Sequence, residues 1–179
     1  MASDDLRETL LQMVKVLEKG IAMEMNASEF YAAAAKRTDS PQGKMMFEWL
    51  SQFEMGHKAR LEAKKRDLLA HESLRGVKPP ELGVYDVSEA HEPPYLPENP
   101  TDVDVLKAAI GNEKKAYAFY QRKLTYSGDP SLKAMFDTMA REEEKHIKIL
   151  REQLGHLEVN RMWREMENLE KEIRRFKED

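Results

Sequence analysis

Cysteine is missing from the whole sequence. That single absence excludes a disulfide framework, a thiolate zinc site, a cysteine-ligated iron centre and a cysteine nucleophile. Long hydrophobic runs are also missing: none approaches the roughly 18 residues needed to cross a bilayer. The N-terminal Met1-Ala2-Ser3-Asp4-Asp5 lacks the basic start and apolar run of a signal peptide. The expectation is a cytoplasmic protein with no membrane partner. Charge of one sign is scarce as well, with 33 acidic against 29 basic side chains and a net charge of −4. So mild an excess gives no reason to invoke nucleic acid or an anionic membrane surface.

What remains is rich in Ala, Glu, Lys, Leu and Met, all strong helix formers, which points to an all-α chain. Its 179 residues suit one compact domain with a sizeable core. The eight prolines punctuate it. Pro79, Pro80, Pro93, Pro94, Pro97 and Pro100 crowd one stretch between Gly76 and Thr101, which reads as a long extended connection. Pro41 follows Thr38-Asp39-Ser40 and Pro130 follows Ser127-Gly128-Asp129, each a turn and cap with proline at the first helical position.

These breaks predict helices over about 4–37, 41–73, 102–126 and 130–154, with apolar stripes such as Leu10, Met13, Leu17 and Ile21. Two helical hairpins joined by one long crossover at 76–101 form a four-helix bundle spanning residues 1–155. The hairpins read as copies of each other. A shift of 89 places Glu24 on Glu113, Phe30-Tyr31 on Phe119-Tyr120, Pro41 on Pro130, Glu54 on Glu143 and His57 on His146. From Val14 to Leu61 the shift gives 15 identities in 48 positions, against about three expected from typical residue frequencies.

The copied residues carry the chemistry. Each half has a glutamate on its first helix and Glu-x-x-His on its second: Glu24 with Glu54 and His57, and Glu113 with Glu143 and His146. Residues three apart on a helix share a face, so each Glu-His pair can aim at one place. One glutamate from each of two helices plus Glu-x-x-His from each of the other two is the ligand set of di-iron carboxylate bundles. Four carboxylates balance two divalent cations, so the ligands need not lie uncompensated in a core. The set suits iron or manganese, and zinc is compatible with it. Tyr31 and Tyr120, two turns beyond Glu24 and Glu113, are candidates to hydrogen-bond and orient ligand carboxylates. His71, His91 and His156 lack such company and read as surface or linker residues.

Over about residues 6–154 the chain resembles the ferritin-like superfamily, and within it the rubrerythrin-type di-iron proteins. The segments Glu24-Met25-Asn26-Ala27-Ser28-Glu29-Phe30-Tyr31 and Glu142-Glu143-Glu144-Lys145-His146 carry the resemblance. It implies that Glu54 and Glu143 bridge two metals, with Glu24 and Glu113 as terminal ligands and all four carboxylates in the catalytic machinery. Rubrerythrins typically place a further carboxylate where this chain has Ala116, and they carry a cysteine-ligated rubredoxin domain that a chain without cysteine cannot. The expected activity is therefore reduction of hydrogen peroxide or oxygen at two iron ions, with electrons from an external donor protein. The alternatives are a ferroxidase handling or storing iron, and a non-catalytic helical adaptor with structural metals.

The last segment, 156–179, reads as a fifth, amphipathic helix. Val159, Met162, Met166, Leu169, Ile173 and Phe176 follow coiled-coil spacing among charged residues. A helix this short needs its stripe buried. It can pack back on its own bundle or against a second copy of the chain; since the four-helix core is complete without it, the second copy is slightly favoured, and with it a homodimer.

Overall fold

The computed structural model describes residues 2–70, 96–98, 100–126 and 129–178, with side chains described over 7–70, 96–98, 100–125 and 129–171. Most of the predicted crossover, with His71, His91 and the prolines from Pro79 to Pro94, lies outside the described residues, as do the side chains of Ile173 and Phe176. Four helices follow in order: α1 (Ala2–Arg37), α2 (Pro41–Leu69), α3 (Asp102–Tyr126) and α4 (Pro130–Glu178). There is no strand among the described residues. The chain forms two compact units, residues 1–95 holding α1 and α2, and residues 96–179 holding α3 and α4.

Side-chain caps start three of the helices where the sequence places them. Ser40 is extended (φ −77°, ψ 117°) ahead of Pro41, and its Oγ accepts the Gly43 N–H at 3.1 Å. Asp129 Oδ1 accepts the Leu132 N–H at 2.8 Å ahead of α4. Before α3, Thr101 and Asp104 cap each other: the Thr101 N–H donates to Asp104 Oδ2 at 2.9 Å, and the Asp104 N–H to Thr101 Oγ1 at 3.2 Å. Each cap satisfies donors that the first helical turn leaves without an intrahelical partner. The two hydrogen bonds from Thr101 also hold the Asp104 carboxyl below its ordinary value.

In the first unit, α1 and α2 pack along one buried row each. On α2 the row is Gly43, Phe47, Leu50, Glu54, His57 and Leu61, alternating steps of four and three as a packed helix seam requires. On α1 it runs through Leu10, Val14, Leu17, Glu24, Ser28 and Tyr31, while Met13 and Ile21 of the expected stripe are half-buried. Two hydrogen bonds tie the helices midway: Ser28 Oγ donates to the Ser51 carbonyl at 3.0 Å, and Ser51 Oγ to the Ser28 carbonyl at 2.9 Å. Lys65 reaches Glu18 at 2.9 Å across the same pair.

The second unit follows the same plan. The buried row of α4 is Leu132, Phe136, Met139, Glu143, His146 and Leu150, facing Leu106, Ala109, Glu113 and Tyr120 of α3.

The structure corrects the expectation of a separate fifth helix. α4 is continuous from Pro130 to Glu178, so residues 156–178 extend the fourth helix. Nothing interrupts it: Gly155 sits in open space, and one glycine inside a helix costs only about 1 kcal/mol relative to alanine. From Glu158 to Lys171 every side chain is exposed, including Val159, Met162, Trp163, Met166 and Leu169 of the expected seam and its flank.

Candidate metal centre

Glutamate and histidine hold positions in these rows that would ordinarily take leucine. In the first unit, Glu24 of α1 and Glu54 and His57 of α2 are each at most 1% exposed. His57 Nδ1 lies 3.1 Å from Glu54 Oε2 and 3.5 Å from Glu24 Oε2. One ligand atom of each of the three lies within 4.8 Å of the others, close enough to hold one metal ion.

In the second unit Glu113, Glu143 and His146 repeat the arrangement at no more than 2% exposure. His146 Nδ1 lies 3.3 Å from both Glu113 Oε2 and Glu143 Oε2, and this trio also falls within 4.8 Å.

Burying ionised carboxylates without compensation costs several kcal/mol each. That penalty is visible at Glu24. Burial pushes its carboxyl up to about 8, against the pull of the His57 hydrogen bond, and the neighbouring Glu54 charge pushes the same way. A metal cation relieves this: it favours the ionised carboxylates and takes the imidazoles as neutral donors. Two carboxylates and one imidazole per unit, oxygen-rich and shielded from water, fit iron or manganese.

Tyr31 and Tyr120, expected near the ligands, are fully buried. Their settings agree closely. Tyr31 stacks on Phe47 at 6.1 Å and 21°, and Tyr120 on Phe136 at 6.0 Å and 23°. Each also meets the preceding phenylalanine edge-on, Phe30 at 5.5 Å and Phe119 at 5.2 Å. His156, expected to lie apart, is exposed on α4.

The sequence reading missed a row of rings on α2. Trp49, 45% exposed, lies 5.1 Å from Phe53 between ring centroids, and Phe53 lies 5.3 Å edge-on from the imidazole of His57. The signal was the spacing: 49, 53 and 57 are successive steps of four, one face of a helix.

Comparison with known proteins agrees with this geometry. Three solved structures, among others, share the fold. A dodecameric thioferritin from Bacteroides fragilis is 19% identical, with a TM-score of 0.65 over 86% of this chain and 89% of its own. The bacterioferritin of Rhodobacter capsulatus, described with a metal-free dinuclear site and haem iron, is 20% identical, with a TM-score of 0.63 over 83% of this chain and 86% of its own. A manganese catalase from Anabaena is 20% identical, with a TM-score of 0.67 over 82% of this chain and 73% of its own. The fold is thus the ferritin-like helical bundle. No curated protein matches the chain. The rubrerythrin family model matches residues 15–86 and 104–178, most of the sequence. The chain belongs to the rubrerythrin family.

Proposed function

We propose that the two trios together form one di-metal site, that its metal is iron, and that the protein reduces hydrogen peroxide or oxygen there. The observation that carries this reading is the agreement between the halves. Each buries two glutamates and a histidine, with the imidazole Nδ1 3.1–3.5 Å from both carboxylates, ahead of a tyrosine stacked on a phenylalanine. That agreement also supports an origin by internal duplication, with four carboxylates provided for two divalent ions.

Glu54 and Glu143 are assigned as the bridging carboxylates and Glu24 and Glu113 as terminal ligands, with His57 and His146 completing the set. The Tyr31 and Tyr120 hydroxyls are assigned to orienting ligand carboxylates. A ferrous pair held by these residues would supply the two electrons that, with two protons, convert peroxide to two waters. The protein's part is to exclude water with the leucine and phenylalanine rows around the ligands, and to adjust proton occupancy. Glu24 holds a proton at neutral pH without metal and gives it up when a cation binds. A chain without cysteine cannot supply a thiolate-ligated electron carrier of its own, so the returning electrons come from an external donor. The exposed seam of α4 is assigned to a second copy of the chain.

The test is to load metal-free protein anaerobically with ferrous iron, then mix separate portions with peroxide and with oxygen. Two irons per chain, oxidised faster by peroxide, supports the peroxidase. Faster reaction with oxygen that continues with excess iron makes the protein a ferroxidase. Failure to bind iron removes the reading altogether.

A further inference from the structure

The ring row on α2 has no counterpart in the other half. Under the shift of 89, Trp49 and Phe53 correspond to Thr138 and Glu142, while His57 corresponds to His146. The Thr138 hydroxyl donates back to the Ala134 carbonyl of its own helix. Among the described residues, then, it is the first unit that links a proposed ligand to the surface through aromatic rings in contact, tilted at 44° between Trp49 and Phe53 and edge-on between Phe53 and His57. The link is short, 5.1 Å from indole to phenyl and 5.3 Å from phenyl to imidazole. Its outer end, Trp49, is 45% exposed.

Indole is the most easily oxidised of these rings, and a phenyl ring between two others conducts without being oxidised itself. The edge-on contact of Phe53 with His57 places it in direct touch with the ligand set.

We propose that Trp49 is the outer terminus of a one-electron path running through Phe53 to His57, and that it donates to the metal site from the protein surface. This rests on the peroxide chemistry proposed above. Peroxide takes two electrons and two protons to become two waters. When the site holds one ferrous ion, that ion supplies one electron and Trp49 the other. The products are one water, one hydroxide, one ferric ion and a neutral tryptophanyl radical. The peroxide O–O bond and the indole N–H bond break, and the indole proton ends in the water formed. A one-electron reductant at the surface then returns an electron to Trp49, and water returns the proton, leaving a second hydroxide. The path thereby completes the reduction of peroxide at a half-filled site and avoids release of a hydroxyl radical.

The experiment uses the full chain loaded with one equivalent of ferrous iron, mixed with one equivalent of peroxide and freeze-quenched. Iron binding and oxidation are followed in the same samples, and electron paramagnetic resonance is compared with and without ring-deuterated tryptophan. The chain has two tryptophans, and the other, Trp163, lies in the exposed extension of α4.

A deuterium-sensitive radical is expected in the wild type and in Trp163→Phe. It should be lost in Trp49→Phe and absent from the earliest samples of Phe53→Leu, with iron binding unchanged in all three variants. Persistence of the radical in Trp49→Phe, or its loss in Trp163→Phe, overturns the path. Iron bound and oxidised in the wild type with no tryptophan radical overturns the path alone. Iron that is not bound, or not oxidised by peroxide, overturns both this proposal and the peroxidase reading.

Discussion

His57 Nδ1 and Glu54 Oε2 lie 3.1 Å apart one helical turn along α2, both sealed from water. His146 and Glu143 repeat the contact on α4 at 3.3 Å. A buried ionic group of this kind serves function at the expense of the metal-free fold. Replacing such groups by apolar residues of similar size is often neutral or stabilising, by about 1–4 kcal/mol. Glu54 sits in a row with Leu50 and Leu61, so replacing Glu24, Glu54 and His57 together by leucine should raise the denaturation midpoint of the metal-free protein, whereas Glu54→Leu alone takes a partner from buried His57 and should lower it. Glu54→Leu should also abolish binding of both irons. Urea unfolding in chelator and metal analysis of the purified variant check the two halves of this prediction. A Glu54→Leu protein retaining two irons per chain would refute the bridging role.

Protonation of Glu24 gives the metal-free protein an unusual pH response. Its carboxyl is raised from 4.5 to about 8, so the folded state binds this proton more tightly than the unfolded state does. Its stabilising contribution is fully present below pH 4.5, declines as pH rises, and is gone above about pH 8. Thermal midpoints in chelator should therefore fall from weakly acid to weakly alkaline pH. Saturating metal should remove or reverse that slope, because the cation favours the ionised carboxylate. A metal-free protein whose midpoint climbs steadily over this range would contradict the assignment.

Tyr31 separates packing from orientation. Its ring is fully buried and stacks on Phe47. Phe47→Ala should cost about 3–5 kcal/mol of stability, as large-to-small aromatic changes in cores do. Tyr31→Phe keeps the ring and removes only the hydroxyl. If that hydroxyl orients a ligand carboxylate, metal affinity should fall roughly 10–100-fold while the helical signal in circular dichroism is unchanged. Equal affinities in wild type and Tyr31→Phe would leave the tyrosine a packing residue.

Capping makes a smaller prediction. Ser40→Ala and Asp129→Ala each remove the acceptor for a first-turn N–H and should each cost about 1 kcal/mol. The two sites lie in different units, so the losses should add in the double variant. Chemical denaturation of the two singles and the double measures this.

Much of this was legible in the sequence because helical proteins announce themselves through spacing. Pro41 and Pro130 marked helix starts, since proline is tolerated in the first turn and nowhere later. Glu54 and His57 stood out because their Glu-x-x-His spacing recurs at Glu143 and His146 under the shift of 89, each time after a glutamate on the preceding helix. The continuity of α4 was not legible. The change from the bundle's buried row to the coiled-coil spacing of Val159, Met162, Met166 and Leu169 read as a new element, but a change of partner along one face does not end a helix, and a glycine at position 155 costs only about 1 kcal/mol. The Trp49–Phe53–His57 row was missed for a different reason. Half-exposed aromatic residues look like packing in a sequence, and only ring separations show that they form a continuous line.

The uncovered stretch of α4 has a consequence for how the protein melts. Between Glu158 and Lys171 no side chain is buried, so the chain's own core contributes nothing to holding that segment helical. An isolated helix of this length is marginal in water. The stretch should therefore fray in an early transition whose midpoint rises with protein concentration, as expected where a second copy supplies the missing contacts. The part of the protein carrying the glutamates and histidines should melt later, at a temperature indifferent to dilution.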